Sequence, residues 1–174
     1  MTRGFTLLEL LITVSILSIL SILSILVATA APSFSSVTQT VKIQRVAGEL
    51  NGFLVQAKSE SVKRNQKLWV HFSTAKNEEQ STGEWTVWLK PTEDLSGDTL
   101  LMLSGEPFRD LSFSHNYTGS KISFESVRGR PARGTIYLAP KSASTDRLLI
   151  KLSSPPGRIK VCGESGDQYG YYAC

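Results

Sequence analysis

Apolar residues dominate the start of the chain and are interrupted there by one charge. Residues 5–31 contain a single ionisable side chain, that of Glu9, and residues 10–41 contain none. At about 1.5 Å per residue, a helix over residues 5–31 is about 40 Å long, which exceeds the roughly 30 Å of bilayer hydrocarbon. The pattern therefore predicts a helix that spans a membrane.

The apolar segment could instead be a cleavable secretory signal, because the small residues Ala28, Thr29 and Ala30 resemble a signal-peptidase cleavage site. The apolar segment is about twice as long as the core of such a signal, and Glu9 lies inside it. A carboxylate within the apolar core costs free energy on insertion, and a disposable signal has no reason to carry it. We therefore expect the segment to be retained.

Beyond Pro32, which can kink or locally break a helix, apolar residues recur at intervals of mostly three and four as far as Ala57. Charged and amide side chains occupy other faces. This period predicts an amphipathic helix that continues to about Asn65 and packs one face under a folded domain.

From Lys67 onward the apolar period becomes two, and turns rich in glycine and proline separate the runs. The predicted strands lie at residues 68–72, 85–90, 99–103, 121–125, 135–138, 148–152 and 158–161. The sequence therefore predicts an α+β protein in which a β domain is laid on a long N-terminal helix.

Positive charge is concentrated late in the chain. Of the 174 residues, 19 are Lys or Arg and 15 are Asp or Glu. Residues 42–120 hold nine basic and ten acidic residues, whereas residues 121–160 hold nine basic and two acidic ones. A local excess of this kind attracts a polyanion, and a solvated basic face is the alternative interpretation.

The first residues carry a specific motif. Residues 3–10 read RGFTLLEL directly ahead of the apolar run. This segment resembles the class III leader of type IV pilins and type II secretion pseudopilins. The resemblance implies cleavage after Gly4 by a prepilin peptidase, N-methylation of Phe5, and a role for Glu9 in registering subunits within a filament.

Cleavage at that bond creates an amine four residues before Glu9, one helical turn away. The carboxylate of Glu9 then neutralises either the amine of its own chain or, in a bundle of like helices, the amine of the next chain. The second arrangement fixes the axial register between subunits. A surface glutamate that reaches the membrane interface is the alternative.

The apolar run departs from the family pattern. Family members usually carry a proline at about the twenty-second mature residue, whereas Pro32 would be the twenty-eighth, and residues 15–26 read SILSILSILSIL. Two extra Ser-Ile-Leu units account for the difference. Serines at every third position spiral around a helix, so we expect their hydroxyl groups to bond to carbonyls of the preceding turn rather than to form a dimer seam.

The other end of the chain carries a second resemblance. Phe124, the segments GRP at 129–131 and GT at 134–135, and GRIKVC at 157–162 resemble the FimT/FimU minor pilin and GspH pseudopilin family. The implied fold is a pilin-like α-helical spine packed on two small antiparallel sheets. The expected organisation is a leader over residues 1–4, a membrane and filament-core helix over 5–31, the amphipathic half of the spine over 32–66 and a periplasmic β domain over 67–174.

Cys162 and Cys174 are the only thiols. In the expected topology both lie outside the cytoplasm, where disulfides persist. A bridge between them is expected to pin the C-terminal tail against the last strand, and two free thiols or part of a metal site are the alternatives. A metal site needs more ligands than His71 and His115 offer at their spacing, so no metal is expected.

Arg158 and Lys160 alternate, so on a strand both side chains project from one face. Other basic residues of the segment extend the candidate surface, with tyrosines of the tail nearby: Arg128, Arg130, Arg133, Lys141, Arg147, Lys151, Tyr169, Tyr171 and Tyr172. Such a surface suits a phosphate backbone without base specificity. Some FimT-like minor pilins bind DNA through a Gly-Arg-x-Arg motif in this region, and Lys160 replaces its second arginine, which keeps the charge but loses the bidentate fork. A plain strand start after a Pro-Pro turn is the alternative.

No catalytic pattern or cofactor motif is expected from this sequence: GESG at 163–166 lacks the second glycine of a nucleophile elbow, and residues 129–134 are too short for a dinucleotide loop. The sequence therefore predicts a structural subunit without a cofactor. The expected protein is a minor type IV pilin of the bacterial inner membrane, with its C-terminal domain in the periplasm, that joins other major and minor pilins and binds double-stranded DNA for natural transformation. A GspH-type minor pseudopilin of a type II secretion system is the alternative.

Overall fold

The computed structural model describes residues 6–141 and 145–174, and within them it leaves out the side chains of residues 30–36. The chain begins with the helix α1, Leu7–Lys63. It divides into two compact units, Met1–Gln39 and Thr40–Cys174. The leader residues and Phe5 lie outside the described part, as does the side chain of Pro32.

In the first unit the described part of α1 is mostly apolar. Its segment Leu7–Thr29 is long and apolar enough to cross a membrane, with a mean hydropathy of 2.8 and no buried residue. A helix segment of this length and composition is typical of a membrane span or of the core of a helix bundle.

The serines of the repeat behave as predicted. The hydroxyl groups of Ser18, Ser21 and Ser24 each donate to the carbonyl three residues earlier at 2.8 Å. Ser15 donates to the carbonyl of Leu11 at 2.8 Å. Because each hydroxyl group is satisfied within the helix, the repeat exposes no unpaired polar group to lipid.

The second unit contains eight strands, which follow α1 in the order β1 Leu68–Phe72, β2 Thr86–Lys90, β3 Leu101–Ser104, β4 Leu111–His115, β5 Lys121–Phe124, β6 Gly134–Pro140, β7 Leu148–Ser153 and β8 Arg158–Gly163. They form two four-stranded antiparallel sheets. The first sheet has the order β3-β2-β1-β5 and the second has the order β4-β6-β7-β8.

One core joins the sheets to the C-terminal half of α1. The helix contributes apolar residues at intervals of three and four, among them Ile43, Val46, Leu50 and Leu54, none of which has any exposed surface. These residues and the inward side chains of both sheets form a single hydrophobic cluster. The amphipathic period in the sequence therefore predicts the buried face of the helix correctly.

Segments of the chain cover several outer strand edges. Gln80 exchanges both backbone hydrogen bonds with Phe113 on β4, and Ala132 donates to the carbonyl of Ser123 on β5. At the end of β8, Gly163 donates to Tyr172 and accepts from Cys174. Such cover removes backbone groups with which another chain could pair.

The predicted helix and strands are confirmed with one omission. The seven expected strands are present with ends shifted by a few residues, but β4 was not predicted. Its sequence, LSFSH, alternates as a strand does. Leu111, Phe113 and His115 on this strand have at most 2% of their surface exposed.

Candidate functional site

The start of α1 is capped by Thr6. The backbone N–H of Glu9 donates to Thr6 Oγ1 at 3.3 Å, which satisfies one of the amide groups left free at a helix start. Among the described residues the Glu9 carboxylate makes no hydrogen bond or ion pair. The carboxylate therefore remains available to a cation outside the described part of the chain. Sequence reasoning missed Thr6, although Thr-x-x-Glu before an apolar run indicates a cap.

On β8, Arg158 and Lys160 lie on the outer face of the second sheet, because Ile159 and Val161 between and after them pack against the core. Lys160 stands directly opposite Lys151 of β7. Like charges in opposed positions repel each other, and Lys160 Nζ is held by the carbonyl of Ala173 at 3.2 Å. The sheet thus holds two ammonium groups side by side.

The C-terminal half of α1 and the β5–β6 loop bring further cations close to the start of β8. Lys58 Nζ donates to the carbonyl of Gly157 at 2.9 Å, which ties α1 to the β7–β8 turn. An added Cβ at Gly157 would lie 3.3 Å from Arg130 Cγ, so this arginine of the β5–β6 loop lies beside the turn. Gly129 has a φ of +59° and lies against Lys58, where a side chain would collide with the helix. The close approach of loop to helix therefore requires glycine.

Lys58, Gly157 and Arg158 line a shallow groove between α1 and the start of β8. The groove has a volume of about 410 Å³ and is lined by Val55, Lys58, Ser59, Val62, Gly157, Arg158 and Ile159. The lining combines apolar side chains with the two cations Lys58 and Arg158. Lys58 was not among the predicted site residues, since no local pattern links it to a residue 99 positions away.

The predicted basic residues do not all contribute equally. Arg147 lies 3.6 Å from Glu79 and 3.9 Å from Glu164, so its charge is compensated within the domain. The other basic residues expected on the surface form no ion pair among the residues that the structure describes: Arg128, Arg130, Arg133, Lys141, Lys151, Arg158 and Lys160. The remaining charge is therefore uncompensated and open to an anionic partner.

Cys162 and Cys174 form a disulfide with an S–S distance of 2.08 Å. It fixes the C-terminal tail beside the end of β8. Tyr169 and Tyr171 of the tail pack against the core, whereas 81% of Tyr172 is exposed. Of the three tail tyrosines expected near the basic residues, Tyr172 is thus the one whose side chain is free to stack on a partner.

His115 is packed inside the folded domain. His115 is fully buried, its Nε2 lies 3.1 Å from the carbonyl of Thr74, and its Nδ1 accepts from the backbone N–H of Tyr117 at 3.3 Å. Burial lowers the pKa of His115 below its ordinary value. Within residues 6–141 and 145–174, no group of three or more His, Cys, Asp or Glu side chains is placed to hold a metal ion.

The chain matches two protein-family models. Residues 46–171 match the family described as type II transport protein GspH. Residues 1–25 match the prokaryotic N-terminal methylation motif. No curated protein matches the sequence.

Two kinds of solved structure share the fold. The type IV minor pilin FimU of Pseudomonas aeruginosa superposes with a TM-score of 0.59 and 17% identity, over 74% of this chain and 96% of that one. The minor pseudopilin EpsH from the type 2 secretion system of Vibrio cholerae superposes with a TM-score of 0.52 and 11% identity, over 70% of this chain and 97% of that one. At these identities the similarity concerns the fold.

Proposed function

Since the chain belongs to the family of type II transport protein GspH, we propose that it is a minor type IV pilin that starts or caps a pilus and binds DNA for natural transformation. The family and the methylation motif support a pilin-like or pseudopilin-like structural subunit. The choice of pilus, the place in the filament and the DNA are our proposals.

Assembly begins with removal of residues 1–4 by a prepilin peptidase and methylation of the new amine on Phe5. The match of residues 1–25 to the methylation motif supports this step. Before assembly the subunit spans the inner membrane through residues 7–29, with its second unit in the periplasm. The apolar helix then exchanges lipid for a bundle of like helices, and head-to-tail contacts give an open helical polymer.

Glu9 directs this exchange. Its carboxylate lies in the first turn of α1, where the helix dipole favours a negative charge, and Thr6 satisfies its backbone N–H. An uncompensated carboxylate in lipid is costly. Pairing it with the amine of a neighbouring subunit removes that cost and sets the axial register between the two helices.

The observation that carries the DNA proposal is the uncompensated charge around β8. Arg158 and Lys160 project from one face beside Lys151, and Arg130 lies at the adjoining turn. Cations on a surface without a base-reading element bind the phosphate backbone of duplex DNA independently of sequence. The affinity of such a site falls steeply as salt rises.

A salt series tests this assignment. The full chain in detergent is titrated with labelled duplex DNA, and the double variant Arg158→Ala, Lys160→Ala is compared with the wild type. We expect weaker binding at low salt and a smaller slope of log affinity against log salt, by about one to two units. The double variant Lys42→Ala, Arg45→Ala removes the same charge from exposed positions of α1 and should change the slope less. An unchanged slope in the first variant removes both residues from the site.

The second candidate is a minor pseudopilin of a type II secretion system, which the fold of EpsH favours. The same spine then serves a pseudopilus that moves folded proteins. Deleting the gene separates the two functions: loss of pili and of transformation supports the pilus, and loss of protein secretion with normal pili supports the secretion system.

A further inference from the structure

The first sheet has one face in the core and one face toward solvent. Val70 of β1 and Val87 and Leu89 of β2 are fully buried in the core. The residues that alternate with them point the other way, and they include Trp69 and Trp88, each partly exposed. In the strand order β3-β2-β1-β5, the two tryptophans lie on the two central strands.

The register makes the two tryptophans diagonal neighbours. Trp69 stands opposite Lys90, and Trp88 stands opposite His71. Among the described residues neither indole N–H donates a hydrogen bond to the chain, and neither is a buried unsatisfied group. Both ring systems therefore reach solvent with a free edge, whereas Trp85, the third tryptophan, has 1% of its surface exposed in the core.

Lysines surround this aromatic pair. Lys67 Nζ lies 4.3 Å from the centre of the Trp69 ring, and Lys121 Nζ lies 5.6 Å from it. Lys90 stands beside Trp69 on the next strand and donates to the carbonyl of Gly97. The face thus combines flat apolar rings with positive charge within a few ångströms.

We propose that this face binds single-stranded nucleic acid, with one base stacked on each of Trp69 and Trp88 and with the adjoining phosphates near Lys67 and Lys121. Aromatic residues on the two central strands of a four-stranded antiparallel sheet stack unpaired bases in RNA-recognition domains. Base stacking on aromatics with backbone contacts from cations is the general mode of single-strand binding. Paired bases of a duplex are stacked on each other and have no face to offer these rings.

Two contacts within the protein compete with such a ligand. The ammonium group of Lys67 rests on the Trp69 ring, but Lys67 is exposed, and a cation–π contact at an exposed site is weaker than base stacking. Glu93 holds Lys121 at 2.9 Å. A phosphate must displace this carboxylate, so Glu93 weakens binding without preventing it.

The loop that carries Glu93 packs over His71, which lies on the same face of the sheet. His71 Nε2 lies 3.1 Å from the carbonyl of Thr92, and 5% of His71 is exposed. The loop therefore covers His71, which lies between Trp88 and Lys121 on this face, whereas Trp69 and Trp88 each remain partly exposed. This site is separate from the basic surface around Arg158, which lies on the second sheet.

The test uses the full chain in detergent and labelled oligothymidylate, with binding read from fluorescence anisotropy. Trp69→Ala and Trp88→Ala should each weaken binding about tenfold. Trp69→Phe and Trp88→Phe keep a stacking ring and should retain most of the affinity, and Trp88→Leu, which keeps apolar bulk without a ring, should lose it. Glu93→Gln should tighten binding. Lys42→Ala, at an exposed position of α1 outside both proposed sites, should have little effect.

Intrinsic fluorescence gives a second measurement. The chain has three tryptophans: Trp69 and Trp88 lie on the proposed site, and Trp85 lies in the core. Oligothymidylate should quench the wild type and leave the emission of the Trp69→Phe, Trp88→Phe double variant unchanged, although anisotropy shows that this variant still binds. Equal affinity of the alanine variants and the wild type overturns the proposal. Equal competition by duplex DNA or by an anionic polysaccharide also overturns it, because neither offers unpaired bases.

Discussion

Lys58 Nζ of α1 donates to the carbonyl of Gly157 at 2.9 Å, across 99 positions of sequence. This bond fixes the β7–β8 turn to the helix directly before Arg158. The helix α1 therefore positions the start of β8, and it also contributes its buried face to the core.

Replacing Lys58 by methionine keeps the apolar stem and removes the bond. We expect the Lys58→Met variant to remain folded, because the loss of one partly buried hydrogen bond to a charged group costs about 1.5–3 kcal/mol. Its affinity for duplex DNA should fall, because the turn before Arg158 is no longer held and one cation is lost. Titration with duplex DNA measures this, and Lys63→Met at an exposed position of the same helix provides the control. Equal affinities of the two variants would contradict a positioning role for Lys58.

Glu9→Ala tests the registration role. Without the carboxylate the amine of the next subunit has no partner, so incorporation into filaments should fall to a small fraction of the wild-type level. Immunogold counting of the subunit in sheared filaments gives the measurement. Thr6→Ser preserves the hydroxyl group that accepts from Glu9 and should assemble normally. Normal incorporation of Glu9→Ala would refute the role.

The disulfide stabilises the second unit. Cys162 and Cys174 are separated by 12 positions, and closing a loop of this size contributes about 3 kcal/mol in the chain-entropy model. The variant Cys162→Ser, Cys174→Ser should lose about this much free energy of unfolding in urea. Treating the wild type with a thiol reductant should reproduce the loss, and the same reductant should leave the double variant unchanged.

His115 makes stability depend on pH. Burial lowers its folded-state pKa below the ordinary value of 6.5, against smaller opposing effects of the hydrogen bond to the Thr74 carbonyl and of the charge on Glu78. The unfolded chain therefore binds the proton more readily, so the free energy of unfolding is fully present above about pH 6.5 and falls as the pH drops toward the folded-state pKa. The free energy of unfolding, measured in urea from about pH 7.5 to about pH 5, should show this decline, because this range brackets the ordinary pKa of histidine. A His115→Phe variant should show a flatter dependence, and an equal slope would contradict the assignment.

Two glycine substitutions should act in opposite directions. A Cβ at Gly105 would lie 2.4 Å from the Trp85 ring, whereas a Cβ at Gly52 in α1 meets nothing within 4 Å. Gly105→Ala should destabilise the domain by about 1–3 kcal/mol through overpacking. Gly52→Ala should stabilise it by about 0.5–1 kcal/mol, because alanine restricts the unfolded chain and favours the helix. Urea unfolding measures both changes.

Local patterns explain which features were predictable. The buried face of α1, seven strands and the serine hydrogen bonds follow from periodicity and from neighbours within one helical turn. The strand β4 was missed because its short alternation ends on His115, whose burial depends on stacking against Phe72, 4.4 Å away. Pairings between distant segments, such as Arg147 with Glu79 or Lys58 with Gly157, have no local signal. The sequence therefore predicts that a basic surface exists, but it does not predict that Arg147 is neutralised by acidic residues or that Lys58 joins the surface.

The chain's own segments occupy backbone edges on β4, β5 and the end of β8, so copies crowded together in one membrane find few places to extend a sheet. At these three strands the backbone groups that a neighbouring copy would need for pairing are already used. In the proposed filament, contacts between apolar helices rather than between strand edges would therefore join the copies.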